Sequence, residues 1–108
     1  MSYRIMRIMC FYDLPSVSAR DRKDYRLFRK FLLKDGFIMM QESVYSKIVL
    51  NRTMADLAVE RIKQKLPSDG LIQVLTVTEK QYAGIQCLLG DGDKNTNVVH
   101  STDRLVIF

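Results

Sequence analysis

Asp13 is the residue of this chain whose sequence context best suits it for chemistry. It closes the apolar run Arg4-Ile5-Met6-Arg7-Ile8-Met9-Cys10-Phe11-Tyr12, and Leu14-Pro15 follows at once. A lone carboxylate at the carboxyl end of a buried strand can ligate a hard cation such as Mg2+, and a dimer axis nearby would bring two copies together. One carboxylate per chain makes a poor metal cage, however, and the plainer role of such an Asp is to cap the loop that follows it. The second candidate is a run of cations. Between Arg20 and Lys34 stand seven basic residues (Arg20, Arg22, Lys23, Arg26, Arg29, Lys30 and Lys34) against Asp21 and Asp24, a net +5 that equals the formal charge of the whole chain. Cations at three- and four-residue spacing can follow a phosphate backbone without reading bases. Their alternative is an ordinary solvated helix face.

Other reactive residue types carry less. His100 is the only histidine, which excludes a histidine pair within one chain, and it suits a loop better than a general base. Ser43 and Ser46 flank Val44-Tyr45 with no histidine or lysine arranged to activate them, so their hydroxyls are expected to hydrogen-bond within a strand kink. Tyr12 and Tyr45 could stack on bases, yet their apolar contexts favour the core. Cys10 and Cys87 sit in apolar runs without zinc or redox spacing, and both are expected to be buried, reduced thiols.

The frame that positions these residues is small. With 108 residues and 47% apolar content, the chain suits one packed core and no second domain. The basic pI of about 9.4 favours an anionic partner. No segment approaches the roughly eighteen apolar residues of a membrane span, and the amino terminus lacks a secretion signal, so no membrane association and a cytoplasmic location are expected.

The run Arg4–Asp13 has apolar side chains at both parities, as in a central strand covered on both faces. From Ser18, Tyr25, Phe28, Phe31 and Leu32 recur at helical spacing until Gly36, and steps of roughly 100° per residue put Lys23, Arg26, Lys30 and Lys34 on the opposite side. Phe37–Leu50 is rich in strand formers, and the Gln41-Glu42-Ser43 interruption favours two short strands. A second helix is expected from about Thr53, where Thr53 and Asp56 have capping-box-like spacing, with Ala55, Ala58, Ile62 and Leu66 as its apolar stripe and Pro67 at its end. Leu71–Thr78 reads as a strand. The order is that of an α+β, ferredoxin-like βαββαβ domain over residues 1–108, with one antiparallel sheet and two helices on one face. Two helices leave the other face bare, so a homodimer through that face is expected. Residues 90–104 suit a flexible loop, and 105–108 a terminal strand pairing within its own sheet or with a partner's.

Several fragments also carry a family resemblance. Phe11-Tyr12-Asp13-Leu14-Pro15, Arg26-Leu27-Phe28-Arg29-Lys30-Phe31-Leu32, Gln41-Glu42-Ser43-Val44-Tyr45 after Gly36-Phe37, and Leu75-Thr76-Val77-Thr78-Glu79-Lys80-Gln81 together resemble the CRISPR-associated protein two family. They look most like its members from systems with a single large effector nuclease. The resemblance implies a ferredoxin-like homodimer with Asp13 as the metal-linked aspartate. It implies either a non-catalytic bridge between integrase dimers that binds double-stranded prespacer DNA, or a magnesium-dependent endonuclease cutting RNA or DNA through Asp13 at the dimer interface. The bridge needs only a rigid dimer and basic surfaces, and it is the preferred reading. A ferredoxin-like RNA-binding or regulatory module is the least supported, because the strands lack an exposed aromatic pattern.

Overall fold

A computed structural model describes residues 5–90. Its organising element is strand β1 (Met6–Asp13), in which Met6, Ile8, Cys10 and Tyr12 are buried while Arg7, Met9 and Phe11 are half-covered and Asp13 is exposed. This alternation follows from the twofold side-chain period of a strand. β1 is central, as expected. It pairs antiparallel with β3 (Val44–Val49) on one side and β4 (Leu71–Thr78) on the other, and β2 (Ile38–Gln41) adds beyond β3 to give the order β2-β3-β1-β4. Among the described residues the result is the expected ferredoxin-like α+β arrangement with one open, four-stranded antiparallel sheet.

Helix α1 (Ala19–Lys34) starts in a capping box: Asp21 N–H donates to Ser18 Oγ at 3.0 Å, and Ser18 N–H donates to the Asp21 carboxylate at 3.0 Å. It ends at Asp35, where Gly36 takes φ 101° and turns the chain into β2. Helix α2 (Arg52–Lys63) is capped by Asn51, whose Oδ1 accepts from Met54 N–H at 2.9 Å. The Thr53–Asp56 spacing is therefore not the cap. Thr53 already lies inside the helix, because Asn51 reaches the free amide of Met54 first. Phe28 and Leu32 of α1, and Ala55, Ala58 and Ile62 of α2, form one buried cluster with the even-numbered residues of β1 and with Tyr45 and Val49 of β3. Both long helices thus cover the same sheet face. Leu66 falls beyond the end of α2 and stays half exposed, so the stripe stops at Ile62.

Two strands, not one bent strand, occupy the Phe37–Leu50 region, joined through a turn in which Ser43 takes φ 68°. Ser46 is fully buried and its Oγ has no hydrogen-bond partner among the described residues, contrary to the expected bond within a kink. A third, short helix α3 (Glu79–Ala83), which begins in a capping box between Thr78 and Gln81, follows β4. Cys10 is buried, but Cys87 is exposed, as are its apolar neighbours Leu88 and Leu89, which are left uncovered among the described residues. His100, most of the 90–104 loop and the 105–108 strand lie outside the described residues.

The second face of the sheet is apolar and, among the described residues, left bare except at one end. Register places Met9 beside Leu75, Phe11 beside Val44, and Asp13 beside Leu71 on that side. Ile38, Ile48, Leu71 and Leu75 are each at least half exposed, at 56, 50, 54 and 53%. α3 touches only one end, where Arg7 donates to Glu79 at 2.9 and 3.0 Å and lies 4.0 Å from the ring centre of Tyr82.

Candidate functional site

Two features stand out, and the sheet separates them. Asp13 ends β1 on the bare side, where its strand neighbour is Leu71. Its position is held by a close backbone approach. Gly70 takes φ 111°, and a Cβ there would lie 2.6 Å from Leu14 Cδ2 and 2.9 Å from the Asp13 carbonyl oxygen. Among the described residues no group of three histidine, cysteine or acidic side chains is gathered as a metal site would require. A single chain therefore does not fit a magnesium cage around Asp13.

The cationic stripe sits on the helix side. The capping box fixes where α1 begins, and burial of Phe28 and Leu32 fixes its rotation, so Lys23, Arg26, Lys30 and Lys34 face solvent on the side away from the core. Arg20, Arg22 and Arg29 are exposed as well. None of these seven cations joins an ion pair among the described residues. Arg22 donates instead to the Val17 carbonyl at 2.8 Å. The two acids of the helix are engaged elsewhere. Asp21 closes the cap, and its carboxyl is held below the usual range first by the Ser18 backbone N–H. Asp24 accepts from the Ser68 hydroxyl at 3.4 Å.

Helix α2 shows the contrast. Arg52 pairs with Asp56, Lys63 with Glu60, and Arg61 with Asp35. Positive charge is thus neutralised on one helix and left bare on the other. Such a surface attracts phosphates, whose counterions it displaces on contact.

Sequence reasoning missed two ionic clusters that hold this layout together. Asp35, just past α1, accepts from Arg61 Nε at 2.8 Å and from Lys47 Nζ at 3.3 Å, tying α1 to α2 and β3. Burial raises its pKa, but the Arg61 and Lys47 bonds outweigh that and leave it lowered. The Arg7–Glu79 pair similarly fastens α3 to β1, and the Arg7 hydrogen bond holds Glu79 below the ordinary range. These partners are up to 72 residues apart, and no local motif announces them. Tyr12 and Tyr45 belong to the core, as expected, and offer no stacking platform. Burial, with Tyr45 and Tyr25 adjacent, pushes the Tyr12 phenol far above its ordinary pKa.

Comparison with known proteins agrees with this architecture. The family described as "CRISPR associated protein Cas2" matches residues 6–85. The chain is 47% identical over 102 residues to a protein of Treponema denticola named "CRISPR-associated endoribonuclease Cas2", covering 94% of this chain and 99% of that one. Proteins of the same name from Streptococcus mutans serotype c and Acidovorax ebreus are 46 and 48% identical. The matches cover 94 and 79% of this chain, and 91 and 83% of theirs.

Proposed function

This chain belongs to the Cas2 family of CRISPR-associated proteins, and from that premise we propose that it serves spacer acquisition as a DNA-binding bridge between integrase dimers. The observation that carries this reading is the row of cations on α1, unpaired among the described residues, which suits a duplex backbone and needs no base contact. Lys23, Arg26, Lys30 and Lys34 are the principal contacts, with Arg20 and Arg22 extending them toward the loop after Asp13. The bridge is a homodimer. The bare apolar sheet face supports that, since Ile38, Ile48, Leu71 and Leu75 stand about half exposed together on one surface, the kind of grouped apolar patch that marks a protein interface. Pairing through that face leaves both cationic stripes outward.

Position favours a second reading for Asp13. It lies on the face that pairing would cover, so two copies would bring two carboxylates near one axis. A magnesium-dependent cut of RNA or DNA would use that pair, and relatives are named endoribonucleases. The bridge is preferred because one carboxylate per chain is a sparse ligand set for such chemistry.

A spacer-integration assay with the cognate integrase, a short duplex and a repeat-bearing target distinguishes the two. Integration is expected to require this protein and to proceed equally with Asp13→Ala. Loss of integration in Asp13→Ala, with the dimer and complex intact, would give Asp13 a chemical role and reverse the ranking.

A further inference from the structure

An open groove of about 760 Å³ runs between α1 and the segment that follows α2. Its apolar lining, the floor of the groove, comes from Leu27, Phe28 and Phe31 of α1 with Leu66 and Pro67. Leu27 and Leu66 are 51 and 52% exposed, an unusual state for two large aliphatic side chains that share one depression. Lys30, Lys34 and Lys65 stand around it, and none of the three makes an ion pair among the described residues. The bordering acids are already engaged, Asp24 with the Ser68 hydroxyl and Asp35 with Lys47 and Arg61. The groove therefore combines an apolar floor with an uncompensated positive rim.

We propose that this groove docks an acidic segment of a partner protein whose carboxylates alternate with large apolar side chains. The rim selects carboxylates by charge, and the floor rewards burial of Leu- or Phe-sized groups. A phosphate backbone would use the lysines but gain nothing from Leu27, Leu66 and Pro67. Unstacked bases would need open aromatic faces, whereas of the two rings bordering the groove Phe28 is 2% exposed and Phe31 is half-buried against the core. The groove lies in the helix layer, opposite the bare sheet face, so it remains open when two copies pair through that face. Lys30 and Lys34 also belong to the proposed DNA surface, whereas Leu66 and Lys65 do not. Variants at the latter two positions keep the two ideas apart.

The test uses the full chain and a fluorescein-labelled synthetic peptide in which Glu residues alternate with Leu and Phe. One control peptide has Ser in place of Leu and Phe, and the other has Lys in place of Glu. In anisotropy titrations the acidic apolar peptide is expected to bind at least tenfold more tightly than either control. Leu66→Ser is expected to weaken it about tenfold, the effect of losing one partly buried aliphatic contact. Lys65→Glu is expected to weaken the acidic peptide and strengthen the Lys-containing one, a reversal that general damage to the fold would not produce. Both positions are exposed, so neither change threatens folding. Equal binding of all three peptides to the native chain would overturn the proposal, as would acidic-peptide binding that ignores both substitutions. Loss of duplex binding in Leu66→Ser would also overturn it, by assigning the groove to nucleic acid.

Discussion

Replacing Lys23, Arg26, Lys30 and Lys34 together with glutamine removes four charges that are unpaired among the described residues from one side of α1 while keeping helix propensity nearly constant. From Lys23 to Lys34 the helix rises roughly 16 Å, a length along which one strand of B-form DNA presents about five phosphates, so all four cations can be engaged at once. Each phosphate contact adds about 0.9 to the slope of log K against log salt, so a protomer that loses four should show a slope shallower by about 3.6. If both stripes of a homodimer hold the same duplex, the loss doubles to about 7. The assay is anisotropy of a labelled duplex at stepped sodium chloride, with circular dichroism and Tm showing that the fold survives. The matched control neutralises Arg52 and Lys63 on α2, which are already paired with Asp56 and Glu60, and should change the slope far less. An unchanged slope in the α1 variant, or an equal loss in the α2 control, would refute the argument that unpaired charge on α1 marks the DNA surface.

Three further outcomes follow from the packing. Gly70→Ala forces a Cβ toward the Asp13 carbonyl at a φ of 111° and should cost about 1–3 kcal/mol, read as a lower Tm; an unchanged Tm would show that the approach is slack. Asp35 has a folded pKa below its ordinary 3.8, so the stability it provides is complete above that value and is lost as pH falls through the depressed one. Asp35→Asn should therefore lower Tm at neutral pH by removing the charge that faces Lys47 and Arg61, although Lys47 keeps its bond to the residue-35 carbonyl, and should also flatten the acid-side decline of Tm expected of the native chain. For the thiols, burial raises Cys10 to about 11 while Cys87 is exposed, so a thiol reagent should titrate one equivalent promptly and the other only after denaturation. Two prompt equivalents would contradict the closed core.

The parts of the fold legible in the sequence were those set by local periodicity. The recurrence of Tyr25, Phe28, Phe31 and Leu32 fixed the rotation of α1 and with it the direction of the lysines, because a helix can bury only one stripe. The two-sided apolarity of β1 likewise pointed to a central strand. Errors arose where two local signals competed. Thr53 and Asp56 imitate a capping box within the first turn of α2, where in the structure Asn51 takes the free amide of Met54. The run Ile85-Gln86-Cys87-Leu88-Leu89 looks like core, yet Leu88 is 88% exposed, since hydrophobicity reports a preference for burial and not the availability of a surface. Neither the clamp of Lys47 and Arg61 on Asp35 nor the groove beside Leu66 could be read from the chain, because each joins segments that share no short-range pattern.

The aromatic cluster beneath Asp13 makes this chain its own optical reporter. It has no tryptophan and five tyrosines. Three of those tyrosines meet at one junction, with Tyr25 and Tyr45 each 5.7 Å from Tyr12 between ring centres and Phe28 at 5.3 Å. Rings fixed in an asymmetric, buried setting dominate near-ultraviolet dichroism, so that spectrum should come chiefly from the seam where β1, β3 and α1 join. Tyr12 immediately precedes Asp13, and its backbone N–H is tied to the Ser43 carbonyl at 3.1 Å. Any ligand that shifts the end of β1 should therefore disturb the tyrosine signal without a label attached, while one held only by the outward cations of α1 should leave it nearly untouched.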